Sequence, residues 1–289
     1  MDSNQTMKSS PFGQFSRCAS VFILSYMHTM STQKQTKINL VLQNTVPGVV
    51  LTSKWLAAHG VSNNLARRYV ASGWIGRLGQ GAYMRCGDHV DWQGALYTLQ
   101  SQLGLNVHVG GLSALRLKGM GHFLSLDAEQ SIQLFSESVK RLPAWFRSAD
   151  WGVQVKHHTA SLFADEGKLP MSSIPHKSFN IKTAAPELAA LEMLYCIKNN
   201  SDFDYAKTVF DGLTTLRPNE VQNLLQDCRS VRVKRLFLWM ARECKHPWVK
   251  YVDVADVDLG SGKRVVFKGG TLDREFLITV PPDGGSVNV

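Results

Sequence analysis

Three polar side chains within one short segment could read the edges of base pairs. Between Ser62 and Gly73, helical spacing collects the apolar residues on one side and Asn64, Arg67 and Arg68 on the other. Asparagine can form two hydrogen bonds with adenine, and arginine can form two with guanine, when a helix lies in the major groove. These three residues therefore predict a helix that contacts double-stranded DNA.

The surrounding residues predict a helix-turn-helix. Thr52 and Ser53 are good N-cap residues in front of KWLAAH, and Gly60 can adopt the left-handed backbone conformation that ends a helix. Ser62 then caps a second helix, which carries the three polar side chains. Two helices joined by a short turn that contains glycine are typical of this DNA-binding motif.

A β-hairpin is predicted directly after the second helix. WIGRL and AYMR flank Gly79-Gln80-Gly81, a glycine turn that suits two short antiparallel strands. Arg77, Gln80 and Arg85 lie on this hairpin, where they could contact the DNA backbone or the minor groove. The order helix, turn, helix and hairpin predicts a winged helix-turn-helix, in which the hairpin is the wing.

The net charge of this region is strongly positive. Residues 31–90 contain seven lysines and arginines and one acidic residue, a net charge of +6 out of the formal +9 of the whole chain. Such a surface attracts a polyanion, and each cation that neutralises a phosphate releases bound counterions. Two other interpretations stay open, because basic residues often form a solvated helix face and a helix-turn-helix can also bind protein.

DNA binding is the main hypothesis because the turn spacing, the hairpin and the local charge agree independently. The predicted DNA-binding residues are Thr52, Ser53, Lys54, Asn63, Asn64, Arg67, Arg68, Arg77, Gln80 and Arg85.

Length and composition predict more than one domain. With 289 residues, 44% of them hydrophobic, the chain exceeds a typical single domain and can bury a sizeable core. We predict a disordered or loosely attached leader at 1–30, a winged helix-turn-helix domain at 31–88 and a C-terminal domain at 89–289. No apolar stretch reaches the roughly 18 to 20 residues that span a bilayer. Five scattered cysteines without C-x-x-C spacing favour reduced thiols and a cytoplasmic location.

The C-terminal domain is predicted to mix strands and helices. Strand-like segments at 131–135, 151–158 and 179–181 precede helical patterns between residues 186 and 244, and two more strand candidates follow. Helices clustered between groups of strands predict an α+β fold class, with the winged helix-turn-helix domain followed by a mixed α/β domain.

Asp150, Glu166 and Lys168 suggest an alternative function. Their D…E-x-K order occurs in metal-dependent nucleases, where two carboxylates bind Mg²⁺ and a lysine helps to position the attacking water. The alternative is therefore a nucleic-acid-processing enzyme that a winged helix targets to its substrate. The segment ADEGK at 164–168 also suits a solvated loop, which is the interpretation we prefer.

Other candidate ligands lack the spacing of a metal site. Cys228, Cys244 and His246 have no paired C-x₂₋₄-C knuckle, so we predict buried thiols and a histidine at a helix end. The chain has no phosphate-binding glycine loop and no nucleophile elbow. The sequence therefore predicts no cofactor, no metal and no enzymatic activity.

Three segments of the chain resemble a known family. LTSKWLAAHGVSNNLARRYVASGWIGRLGQGAY at 51–83 is similar to the winged-helix segment of the AbiEi antitoxins. GGLSALRLKGMGHFL at 110–124 and APELAALEML at 185–194 are also similar to that family. The AbiEi antitoxins are transcriptional regulators of type IV toxin–antitoxin systems, which act in abortive infection and phage defence.

The resemblance implies a function and partners. A member of this family represses its own operon by binding an operator, expected here to be an inverted repeat in double-stranded DNA. It also counteracts a nucleotidyltransferase-like toxin, without a requirement for direct contact. The resemblance assigns DNA binding to Asn64, Arg67, Arg68 and the wing residues.

Overall fold

The computed structural model describes residues 37–120, 131–159, 161–266 and 269–281. The chain divides into two units after Asn44. In the first unit, Lys37–Gln43 form helix α1, and the Asn44 side chain donates to the Leu40 carbonyl oxygen over 2.9 Å. The predicted leader at 1–30 lies outside the described residues.

The second unit begins with the elements that the sequence predicts as a helix-turn-helix and hairpin. They are β1 (Leu51–Thr52), α2 (Ser53–Ala58), α3 (Asn63–Ala71), β2 (Ile75–Gly79) and β3 (Ala82–Arg85). The Thr52 hydroxyl accepts from the Trp55 amide at 3.1 Å, and the Ser62 hydroxyl accepts from the Leu65 amide at 3.3 Å. Gly60 follows α2 with φ of +78°, which requires glycine. The predicted helix boundaries are therefore confirmed.

Strands β1, β3 and β2 form an antiparallel sheet in that order. The hairpin register pairs Ile75 with Arg85 and Arg77 with Tyr83, so these four side chains share one face. A register shift lies between Arg77 and Gly79. The predicted strands of the hairpin are confirmed.

A five-stranded mixed sheet follows, with the order β6-β5-β4-β8-β7. Its strands are β4 (His108–Val109), β5 (Ser131–Phe135), β6 (Gln154–His158), β7 (Met171–His176) and β8 (Phe179–Ala184). Pairs β5–β6 and β4–β8 are parallel, and pairs β4–β5 and β7–β8 are antiparallel. Helix α4 (Trp92–Ser101) precedes β4, and helices α5 (Gly111–Leu117) and α6 (Ala144–Ser148) lie between strands of this sheet in the chain.

A group of helices then packs around one that is buried from Glu187 to Leu194. They are α7 (Pro186–Tyr195), α8 (Asn200–Asp211), α9 (Pro218–Asp227) and α10 (Val231–Glu243). Apolar residues cover every side of α7, and it contacts α5 and the three later helices. Its two carboxylates are buried but hydrogen-bonded, Glu187 to Arg217 and Glu192 to His108 and the Gly111 amide.

The C-terminal residues form a small sheet, β10-β11-β9, from β9 (Arg264–Val265), β10 (Thr271–Asp273) and β11 (Ile278–Val280). Arg235 of α10 holds it in place, because this buried guanidinium donates to four backbone carbonyls on the segments around the sheet. The acceptors are Leu259, Gly260, Gly262 and Leu277.

The predicted mixture of helices and strands is confirmed, but several elements were not predicted. These are helix α6 and strands β1, β7 and β10. Helix α4, which we assigned to the C-terminal domain, hydrogen-bonds to the first sheet: Thr98 and Gln102 contact the backbone of Val50 and Thr52. The domain boundary at residue 88 stays a prediction.

Candidate nucleic-acid interface

The predicted DNA-binding residues lie on adjacent elements and differ in exposure. The exposed ones are Lys54, Asn63, Asn64, Arg67, Arg68, Arg77 and Gln80. Ser53 and Arg85 are partly exposed, and Thr52 is buried. Together, α2, α3 and the hairpin bring nine of these ten residues to positions where a ligand could reach them.

Helix α3 presents its polar residues because its apolar side is packed. Ala66 is 1% exposed, and the helix contacts α2 and strand β2. Four polar residues of the helix point away from this packed side, and all four are exposed: Asn63, Asn64, Arg67 and Arg68. The local sequence pattern therefore produces a packed helix with a cationic outer face.

The cations of this surface lack carboxylate partners in the part of the chain that the structure describes. Within the described residues, no ion pair joins Lys54, Arg67, Arg68, Arg77 or Arg85 to an acidic group. Elsewhere in the described residues, Arg217, Arg229 and Arg242 each form an ion pair with a carboxylate. The positive potential of α2, α3 and the hairpin is therefore not compensated locally, which favours attraction of a polyanion.

The hairpin turn contacts the first of the two helices. The Ser53 amide donates to the Gly81 carbonyl oxygen over 2.9 Å, so the start of α2 lies beside the turn that carries Gln80. Arg77 and Arg85 share one face of the hairpin because of the register described above. Gly81 has φ of +70°, which explains the glycine at this position of the turn.

Thr52 is the exception among the predicted contact residues. Its side chain is 3% exposed, and its hydroxyl caps α2 and also donates to the Gln102 side chain over 3.2 Å. Because these contacts occupy the hydroxyl in the interior, Thr52 has a structural role, and we leave it out of the proposed surface.

Sequence reasoning missed one residue of this region, Trp74. It lies between α3 and β2 and is 47% exposed, although its neighbour Ile75 is buried. Its backbone amide donates to Tyr69 and its carbonyl accepts from Cys86, so the backbone of this exposed tryptophan is well held. Side chains of a strand point alternately to its two faces, and this alternation after Gly73 could have indicated that Trp74 is exposed.

The described side chains of the nuclease alternative, Asp150 and Lys168, each contact a near neighbour in the chain. Asp150 accepts from the Gly152 amide, and Lys168 pairs with Asp165 at 3.3 Å. The Glu166 side chain lies outside the described residues. Across the part of the chain that the structure describes, no group of three His, Cys, Asp or Glu residues could hold a metal ion.

Two of the three candidate zinc ligands, Cys228 and His246, lie in the core, and Cys244 is partly exposed. Burial raises the pKa of the Cys228 thiol to about 11, so this group is a protonated thiol at neutral pH. His246 is buried, and its Nε2 lies 2.8 Å from the Phe210 carbonyl oxygen. Both observations agree with the predicted packing roles.

None of the described helices is both long and apolar enough to cross a membrane.

Comparisons with known proteins identify related sequences and a related fold. The family model described as "Transcriptional regulator, AbiEi antitoxin, Type IV TA system" matches residues 129–281. The model described as "Transcriptional regulator, AbiEi antitoxin N-terminal domain" matches residues 34–126. The crystal structure of the RV2827C protein from Mycobacterium tuberculosis is similar, with a TM-score of 0.54 and 13% sequence identity, over 83% of this chain and 88% of that chain. No curated protein matches the chain.

Proposed function

The chain belongs to the AbiEi family of antitoxin transcriptional regulators of type IV toxin–antitoxin systems, and we propose that it binds double-stranded DNA through a winged helix-turn-helix at residues 51–85. In this proposal α2 and α3 are the two helices of the motif and the β2–β3 hairpin is the wing. The protein binds an inverted repeat upstream of its own gene and represses its own operon. It also counteracts a nucleotidyltransferase-like toxin, and direct contact with the toxin is not required.

One observation carries the DNA-binding proposal. The exposed cations of α2, α3 and the hairpin converge on adjacent elements and have no acidic partners in the described residues. Phosphate groups of a duplex are the counterions that this arrangement accommodates best, because each contact releases condensed cations from the DNA.

The geometry suggests a division of roles. Helix α3 enters the major groove, where Asn64, Arg67 and Arg68 contact base edges. Arg77 and Arg85 of the hairpin approach the neighbouring backbone or minor groove. Lys54 in the first turn of α2 contacts a phosphate, which fixes the position of α3 in the groove.

A binding experiment tests this proposal. A labelled duplex containing the region upstream of the gene is titrated with the full chain, and a scrambled duplex measures non-specific binding. Arg67→Ala and Arg68→Ala are each expected to weaken specific binding by about 1 to 3 kcal/mol and to reduce discrimination between the two duplexes. Lys250→Ala removes an exposed cation outside the candidate surface and is the matched control. Equal affinities of all four proteins would overturn the proposal.

The nuclease alternative requires a separate experiment. If the protein cleaved DNA or RNA with Mg²⁺ and the Lys168→Ala variant lost this activity, the enzymatic function would replace the regulatory one. We expect no cleavage, since the family is one of regulators and Lys168 pairs with Asp165 in an exposed turn.

A further inference from the structure

A cavity of about 380 Å³ lies between helix α6 and strand β6. Its apolar part comes from buried Leu142 and Phe146 and from Val155 on the face of β6. Small-molecule sites usually occupy about 300 to 1,000 Å³ and combine apolar walls with a few polar groups. The size and the apolar walls therefore suit a small organic ligand.

The charge of the cavity is entirely positive. Lys140, Arg141 and Arg147 line it, and no carboxylate is among its lining residues. All three side chains are exposed, and within the described residues none has an ion-pair partner. Since the only fixed charges are three cations, the ligand should be an anion with more than one negative charge.

An aromatic side chain offers a flat surface beside these cations. Trp151 is partly exposed, and its indole Nε1 donates to the Phe146 carbonyl oxygen over 2.7 Å. The Trp151 and Phe146 ring centroids are 5.5 Å apart. This hydrogen bond and ring contact hold the indole in one orientation, so a planar group could stack on it at low entropic cost.

His157 adds a hydrogen-bond acceptor. Its Nε2 lies 2.8 Å from the Ser136 hydroxyl oxygen, and that hydroxyl donates its single proton to the Val139 carbonyl oxygen over 3.0 Å. In neutral His157, Nε2 must therefore carry the proton and donate, which leaves Nδ1 as an acceptor. Burial lowers the pKa of His157, which favours this neutral form.

We propose that this cavity binds a nucleotide. The base stacks on Trp151, and the phosphate contacts Arg141, Arg147 and Lys140. His157 accepts a hydrogen bond from a base N–H or a ribose hydroxyl. A free nucleotide and the 5′-phosphorylated end of a single strand share this chemistry. The proposal does not depend on operator binding, because the cavity is formed by residues outside α2, α3 and the hairpin.

Calorimetric titration of the full chain with AMP, GMP, CMP and UMP tests the proposal. We expect saturable binding with one nucleotide per chain. Arg141→Ala and Trp151→Leu should each weaken it about tenfold, because one removes a charge-assisted contact and the other a stacking surface. Arg141 donates no hydrogen bond in the described residues, so its removal should leave the fold intact.

Two controls make the result specific to the cavity. Lys156→Ala removes an exposed cation from the opposite face of β6 and should leave nucleotide affinity unchanged. Adenosine and inorganic phosphate should each bind much more weakly than AMP, since each lacks half of the recognised chemistry. A 5′-phosphorylated tetranucleotide that binds more tightly than AMP identifies a strand end as the ligand, and weaker binding identifies the free nucleotide.

Three results would overturn the proposal. They are no binding of any of the four nucleotides, phosphate binding as tight as AMP, and unchanged affinity in both cavity variants. Operator binding is measured on the same protein samples. If operator binding is observed but nucleotide binding is not, only the nucleotide proposal fails. If nucleotide binding is observed but operator binding is not, only the DNA-binding proposal fails.

Discussion

The Cβ atom of Trp145 lies 3.0 Å from the point that a Cβ atom on Gly79 would occupy. Helix α6 thus packs directly against strand β2 because residue 79 has no side chain. This contact connects the hairpin, with its proposed DNA-binding arginines, to the helix that lines the proposed nucleotide cavity.

The Gly79–Trp145 contact predicts a site that does not tolerate larger residues. Gly79→Val should lower the free energy of unfolding by about 1 to 3 kcal/mol, because the added carbons force α6 away from β2. Urea denaturation measures the change. Gly76→Ala is the control: its new Cβ would meet only the flexible Met84 side chain, at 3.4 and 3.5 Å, so a much smaller effect is expected. Equal losses in both variants would contradict this account.

Salt dependence tests whether the hairpin contacts phosphate. Each neutralised phosphate contributes a slope of about −0.9 to the plot of log affinity against log salt concentration. Arg77→Ala should reduce the magnitude of that slope by about 1 and weaken binding to all sequences similarly. The measurement is fluorescence anisotropy at several salt concentrations, with Lys250→Ala as control. An unchanged slope in Arg77→Ala would remove this arginine from the interface.

Thr52 should affect stability and not DNA contact. Thr52→Val removes the cap of α2 and the hydrogen bond from the Thr52 hydroxyl to Gln102, and it should lower the free energy of unfolding by about 1 to 2 kcal/mol. Thr52→Ser retains the hydroxyl and should cost less. Neither variant should alter the salt slope of DNA binding once measured on folded protein. A reduced slope in Thr52→Val would restore Thr52 to the candidate surface.

The ion pair between Glu187 and Arg217 should make the stability of the fold depend on pH in the acid range. Glu187 is 2% exposed and accepts from the Arg217 side chain at 3.0 Å through each carboxylate oxygen. Burial raises the pKa of this carboxyl, but the hydrogen bonds from Arg217 outweigh it, and the pKa lies below the ordinary 4.5. The stabilisation is therefore fully present above pH 4.5 and is lost as the pH falls through the lower folded value.

Arg217→Ala tests this pair. It should lower the free energy of unfolding at neutral pH by about 2 to 3 kcal/mol, less than the loss for a fully buried pair, because the Arg217 side chain is largely exposed. Below pH 4.5 the difference between variant and wild type should shrink. Chemical denaturation at a series of pH values measures both effects. A difference independent of pH would show that the pair does not carry this stability.

Helix boundaries that depend on residues close in sequence could be predicted. The caps at Thr52 and Ser62 and the glycine at 60 act within one helical turn, so their residue types alone predict where α2 and α3 begin and where α2 ends. Strand β7 was not predictable because it contains Pro175, which normally argues against a strand. The sheet tolerates this proline because β7 is an edge strand and pairs only with β8.

The sequence by itself determined the helix periods, the glycine turns, the excess of cations near residues 31–90 and the family resemblance, since all of these are local patterns. Tertiary structure alone decided that Thr52 hydrogen-bonds to Gln102 and that Arg217 hydrogen-bonds to Glu187. It also decided that Trp151 and His157 share a cavity with three cations. Such contacts join residues that no local periodicity relates, and they form only when packing of the core brings distant segments together.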